Sequence, residues 1–158
     1  MRATGLILMN SDEINLAEKL NLPNRPSPHF VQTDVYFHPN AVSFAFLMEN
    51  DTKIKVIVSG REVFLTYDKK VWEKLKILLS NKAKAYLVGN YDEIIKAKAQ
   101  GIDIGLKYVE HEIYFNVNHI TFLFLYEKGV KLKIIIAGQD FVLKNEDGLY
   151  DKLKMFIE

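Results

Sequence analysis

The sequence predicts an α+β domain built from two tandem copies of one β-α-β4-α unit. Three observations predict it. Residues 35–80 recur at 113–158 without a gap, at a constant offset of 78. Extended back to His29 and Lys107, the two stretches share 16 identities in 52 positions, where chance would give about three. Within each copy, four short apolar segments alternate or run with β-formers, and an amphipathic helical pattern follows them.

The first copy opens with a strand over Gly5–Met9. Ser11 is placed to cap a helix, with Asp12 and Glu13 in its first turn, where the helix dipole favours acid. Ile14, Leu16, Ala17 and Leu20 give that helix a face up to Leu22. Pro23, Pro26 and Pro28 make the next stretch a loop, since proline lacks the donor that helices and ladders need. Strands are expected over His29–Phe37, Ala41–Met48, Lys53–Ser59 and Glu62–Thr66, with turns at His38-Pro39-Asn40, at 49–52 and at Gly60. Asp68 caps a closing helix whose stripe is Val71, Trp72, Leu75, Leu78 and Leu79. The second copy repeats the order. Its strand is Lys84–Gly89 and its helix Tyr91–Gln100, the latter matching the first helix at an offset of 80. Strands follow at Leu106–Asn116, Ile120–Tyr126, Val130–Ala137 and Asp140–Lys144, and a helix at Glu146–Ile157. No Pro/Gly/Ser-rich linker separates repeat one (1–80) from repeat two (81–158), so a single pseudo-twofold domain is expected over 1–158.

Composition narrows the function. The chain has 158 residues, 49% of them apolar, and a net charge of +1 from 21 basic and 20 acidic residues. Nucleic-acid binding would therefore rest on local clustering and not on net charge. The absence of cysteine excludes disulfides, thiol nucleophiles and thiolate metal sites. The N-terminal apolar run is too short for a signal peptide and nothing reaches transmembrane length. A cytoplasmic protein without membrane contact is expected.

Two features look like chemistry and have plainer readings. Asp12-Glu13 and Asp92-Glu93 are adjacent pairs whose side chains diverge on a helix, and capping explains them. His29, His38, His111 and His119 have no metal-ligand spacing and do not superpose in the repeat. No nucleotide loop or nucleophile elbow is present. A non-enzymatic protein without cofactor or metal is expected. Phe44, Phe46, Phe122 and Phe124 read as core, as do the repeat-equivalent Trp72 and Tyr150.

The segment Val56-Ile57-Val58-Ser59-Gly60-Arg61-Glu62-Val63-Phe64-Leu65-Thr66 resembles the last hairpin of the TATA-box-binding-protein family, which also runs into a long helix. Ile134–Lys144 is its weaker counterpart. The resemblance implies one curved antiparallel sheet from both units, helices packed on one face, and an exposed concave face for nucleic acid. The family's kinking phenylalanine falls on Ile57 and Ile135. Its groove-contacting threonine is matched by Thr66, with Lys144 as the mate, and its leucines fall on Lys55 and Lys133. Without its first strand and helix, each copy is also similar to the whirly and Pur-type ββββα modules that bind single strands.

The paired lysines Lys53/Lys55 and Lys131/Lys133 are the expected phosphate contacts, since residues two apart on a strand share a face. With Lys144 and Thr66 beside them, and Ile57, Phe64 and Ile135 as an apolar floor, they form the candidate nucleic-acid site for DNA or RNA. The alternative is a protein–protein adaptor or structural subunit, monomeric or homodimeric, whose lysines only solubilise the sheet.

Overall fold

A computed structural model describes residues 1–8, 30–48, 51–88, 99 and 108–158. The helix expected at 11–22 lies outside the described residues, as does all but the helical Ala99 of the one expected at 91–100. The described chain runs β1 (Arg2–Leu8), β2 (Phe30–Tyr36), a 3₁₀ turn (Pro39–Ala41), β3 (Val42–Met48), β4 (Lys53–Val58), β5 (Arg61–Thr66) and α1 (Lys69–Leu79). It continues with β6 (Asn81–Val88), β7 (Tyr108–Phe115), a second 3₁₀ turn (Val117–His119), β8 (Ile120–Tyr126), β9 (Lys131–Ile136), β10 (Gln139–Lys144) and α2 (Leu149–Ile157).

Local chemistry sets these elements. The β4–β5 hairpin turns on Ser59 (φ 50°) and Gly60 (φ 79°), and the β9–β10 hairpin on Ala137 (φ 50°) and Gly138 (φ 78°). Two successive positive φ values match the right-handed strand twist, and glycine in second place carries no Cβ penalty. Asp68 Oδ1 accepts from the backbone N–H groups of Lys70 and Val71 at 2.9 and 3.1 Å, capping α1. The last helix starts at Leu149 and not at Glu146. Asn145 Oδ1 accepts from Tyr150 N at 3.2 Å, and Gly148 sits at φ 70°, so the chain is still turning there.

The ten strands among the described residues form one antiparallel sheet in the order β2-β1-β5-β4-β3-β7-β6-β10-β9-β8. The second five strands repeat the order of the first five. A twofold axis normal to the sheet, which the expected saddle requires, would mirror that order instead.

Side chains directly opposed in an antiparallel pair share a face, so the register assigns faces. In the first half Ala45 opposes Val56 and Ile54 opposes Leu65. These residues bury α1 through Trp72, Leu75 and Leu79. Across the junction Ala45 also opposes Tyr114, and Trp72 meets the Tyr114 ring edge-on at 5.4 Å. Phe44 opposes Phe115 on the other face. There Phe44 and Ile57 join Ile113, Leu132, Ile134, Leu143 and Leu153 of α2 in a second core. The two helices therefore lie on opposite faces of the sheet, not on one face as expected.

A register shift between Val42 and Phe44, repeated between Ile120 and Phe122, decides which side chains go where. The bulge turns Phe44 and Phe46 onto the face of Ile57 and Lys55, whereas unbroken alternation from Val42 would put them with Ile54 and Val56.

Candidate functional site

The register separates the two lysine ladders. Lys53 opposes Thr66 and Lys55 opposes Phe64, on the α2 face of the first half. Lys131 opposes Lys144 and Lys133 opposes Val142, on the α1 face of the second. The face changes because Phe44, on the side of Lys55, pairs with Phe115, on the side of Leu132 and opposite to Lys131. The nine candidate contacts do not form one surface. Ile57 is fully buried under Phe44, so it is core and not an exposed floor. Phe64 is half-buried beside Lys55, whose Nζ lies 5.9 Å from its ring centre and 5.8 Å from that of Phe46. Ile135 is half-buried opposite Phe122. Thr66 Oγ1 is buried and finds no hydrogen-bond partner among the described residues.

Carboxylates offset the lysine charge. Lys55 pairs with Glu62 at 2.9 Å and Lys133 with Asp140 at 2.9 Å, two bridges whose members stand 78 residues apart. Lys131 reaches Glu127 at 3.1 Å, and that hydrogen bond raises its pKa. Lys144 lies 3.5 Å from Glu110 and 3.9 Å from Glu146, whose charges raise its pKa. Lys131 also sits 5.0 Å from the ring centre of Tyr86. Burial, then the charge of Glu110, pushes the Tyr86 phenol up.

The second half shows a feature that sequence reasoning missed. Phe122, Phe124 and Tyr126 line one face of β8, with neighbouring ring centres 5.7 and 5.9 Å apart. Phe122 is 52% exposed and Phe124 39%, so neither is the core residue expected. Their counterparts 78 residues earlier, Phe44 and Phe46, are 0% and 7% exposed because the second half covers them. The missing signal was the position of β8 at the end of the sheet among the described residues, which the order of the strands fixes and their composition does not.

The junction between halves supplies the remaining candidate chemistry. Ser43 Oγ and His119 Nδ1 share a 2.7 Å hydrogen bond, and Asn116 Nδ2 stands 3.5 Å from Nε2 of the same ring. A groove of about 450 Å³ runs past Ala41, Ser43, Ser59, Gly60, His119 and Ala137. The serine–histidine distance suits a nucleophile and base, yet Ser43 is only 3% exposed. The pair joins β3 to the turn before β8 and acts as a clamp between halves. Gln139 Nε2 adds a donor to Gly60 O at 3.1 Å.

Among the described residues no cluster of three metal-ligating side chains occurs and no helix is long and apolar enough to cross a membrane. Neither protein-family models, nor curated proteins, nor solved structures match this chain.

Proposed function

We propose that the chain is a tandem-repeat adaptor or structural subunit of two β-α-β4-α units, docking a protein partner along the outer strand of its second unit. One observation carries this reading. Phe122 and Phe124 stand exposed on a strand, Ile120–Tyr126, that contains no charged residue, whereas their counterparts Phe44 and Phe46 are buried under a neighbouring half. Edge strands that must stay alone are usually guarded by charge or proline. An unguarded aromatic edge is a docking surface.

A second reading keeps nucleic acid. Lys131, Lys133 and Lys144 flank Tyr86, Phe124 and Tyr126, and stacking rings beside cations suit single strands. The flanking carboxylates Glu127, Asp140, Glu110 and Glu146 stand against it.

The test replaces Phe124 by a photoreactive benzophenone amino acid in living cells, with exposed Tyr67 replaced likewise as control. Protein adducts at position 124 alone support docking. Nucleic-acid adducts move the function to the second reading. No adduct at 124 above the control removes both.

A further inference from the structure

The partner that fits this edge is a second copy of the chain, and the case rests on the tandem-unit reading above. Inside one chain, β3 of the first half pairs with β7 of the second, with Phe44 opposite Phe115 and Ala45 opposite Tyr114. Among the described residues the strand order ends at β8 on one side and β2 on the other. At the offset of 78, β8 is the counterpart of β3, and β2 is the counterpart of β7. The two ends of the sheet are thus the two sides of a junction that the chain has already made once.

The exposed side chains follow the same correspondence. Phe122 and Phe124 on β8 answer to the buried Phe44 and Phe46. Tyr36, at the end of β2, is 73% exposed, whereas its counterpart Tyr114 packs against Trp72. Apolar groups are left in water at the positions the internal junction covers.

The geometry of the internal junction sets the form of the assembly. From first half to second, strand direction reverses, because β3 and β7 are antiparallel. The helix-bearing face also reverses, while the strand order continues in the same sense. Such an operation is a half-turn about an axis running across the strands, with a translation along it. Applied again it does not close, as a heterologous contact need not.

We propose that copies of this chain associate head to tail, β8 of one copy adding to β2 of the next, in an open array with one continuous sheet. The offset fixes the register: Phe122 opposite Phe37 and Leu123 opposite Tyr36 of the next copy. The His38 amide would donate to Thr121 O, as the Asn116 amide donates to Ser43 O at 3.0 Å inside the chain. Arg61 would donate to Gly138 O, as Gln139 does to Gly60 O. Tyr150 would meet Tyr36, as Trp72 meets Tyr114. Two internal contacts have weaker equivalents. The stack of Phe44 on Phe141 becomes Phe122 on Val63, and the Ser43–His119 bond becomes Thr121 against Ala41. With the loss of tethering, the contact between copies is reversible and concentration-dependent.

The test uses two variants of the full chain, each altered at an exposed side chain so that folding is spared. Phe122→Lys blocks the β8 end and Tyr36→Lys blocks the β2 end. Sedimentation and light scattering follow mass against concentration, with circular dichroism confirming the fold. Wild type grows beyond the 18.3 kDa monomer in a series, and either variant alone grows far less. Mixed in equal amounts, the variants stop at twice the monomer mass, because one free β2 end meets one free β8 end. A wild type that stays monomeric up to about 1 mM, the weak end of association, overturns the proposal. So does a mixture that stays monomeric, or a Tyr36→Lys variant that pairs β8 with β8. If position 124 cross-links a different protein while the wild type is monomeric, self-assembly fails and the docking reading survives. If position 124 cross-links nothing, both fail.

Discussion

The ring of Phe44 lies over the ring of Phe141, with centres 4.3 Å apart and planes 13° from parallel. The two residues come from different halves, and this stack sits in the core that the halves share. Phe44 is fully buried. Phe44→Ala is expected to lower unfolding stability by about 3–5 kcal/mol through lost burial and the cavity left behind. Phe122→Ala, at the same place in the second half but 52% exposed, is expected to change it by less than about 1 kcal/mol. Urea denaturation of both at micromolar concentration decides the matter. Equal losses would mean that β8 is covered within the monomer.

The clamp between Ser43 and His119 gives a second expectation. Ser43 is buried, so removing either partner strands a polar group. Ser43→Ala and His119→Ala should each lower stability by about 1–3 kcal/mol. The double variant should lose less than their sum, because one bond is counted twice. Strict additivity would show that the 2.7 Å contact carries no coupling. The removal of Gln139 as donor to Gly60 O, half-exposed at a hairpin, should cost under about 1 kcal/mol.

Much of this fold was legible in the chain. The alternation of Lys53–Val58, the Ser59-Gly60 turn and the Asp68 cap are local signals, and each element forms where they put it. What was not legible is non-local. The bulge after Val42 adds no unusual residue, yet it exchanges the faces of Phe44 and Ala45. The pairing of β3 with β7 joins residues about seventy positions apart, and no periodicity encodes which strand an edge will choose. That one choice put the helices on opposite faces and parted Lys53/Lys55 from Lys131/Lys133. The lysine positions were readable from the repeat. Their acidic partners were readable as well, since Glu62 and Asp140 oppose Ile57 and Ile135, each two residues along the strand from its lysine. Glu62 and Asp140 stand 78 residues apart as Lys55 and Lys133 do, and only the strand register shows which lysine each acid meets.

Those acids govern a third expectation. If Glu62, Asp140 and Glu127 hold Lys55, Lys133 and Lys131, wild type should bind labelled single-stranded DNA weakly at physiological salt. A Glu62→Gln/Glu127→Gln/Asp140→Asn variant should bind more tightly, with a steep salt dependence, because free amines can then displace counterions at phosphates. Fluorescence anisotropy against salt measures both. Tight, salt-sensitive binding by wild type that a Lys131→Ala/Lys133→Ala variant abolishes would restore the nucleic-acid reading.

Alkaline pH should unfold this protein earlier than its acid–base composition alone suggests. Burial raises the pKa of Tyr86 and Tyr114, and Tyr114 also donates to Glu112 Oε1 at 3.0 Å. Lys131 is raised by its hydrogen bond to Glu127, and Lys144 by the charges of Glu110 and Glu146. All four groups hold their protons more tightly in the folded chain than in the unfolded one. Below the unfolded values, about 10 for tyrosine and 10.4 for lysine, the preference contributes in full. As pH rises through the folded values, the unfolded chain has already released protons that the folded chain must give up, and stability falls. Melting temperature should therefore drop as pH rises beyond the ordinary tyrosine and lysine range, above about pH 10. Tyr114→Phe removes a phenol whose pKa burial raises, at the junction between halves, and should flatten that drop while leaving melting at pH 8 nearly unchanged. An identical pH profile for Tyr114→Phe and wild type would show that the phenol at the Trp72 contact does not couple to folding, and that the alkaline loss belongs to Tyr86 and the two lysines.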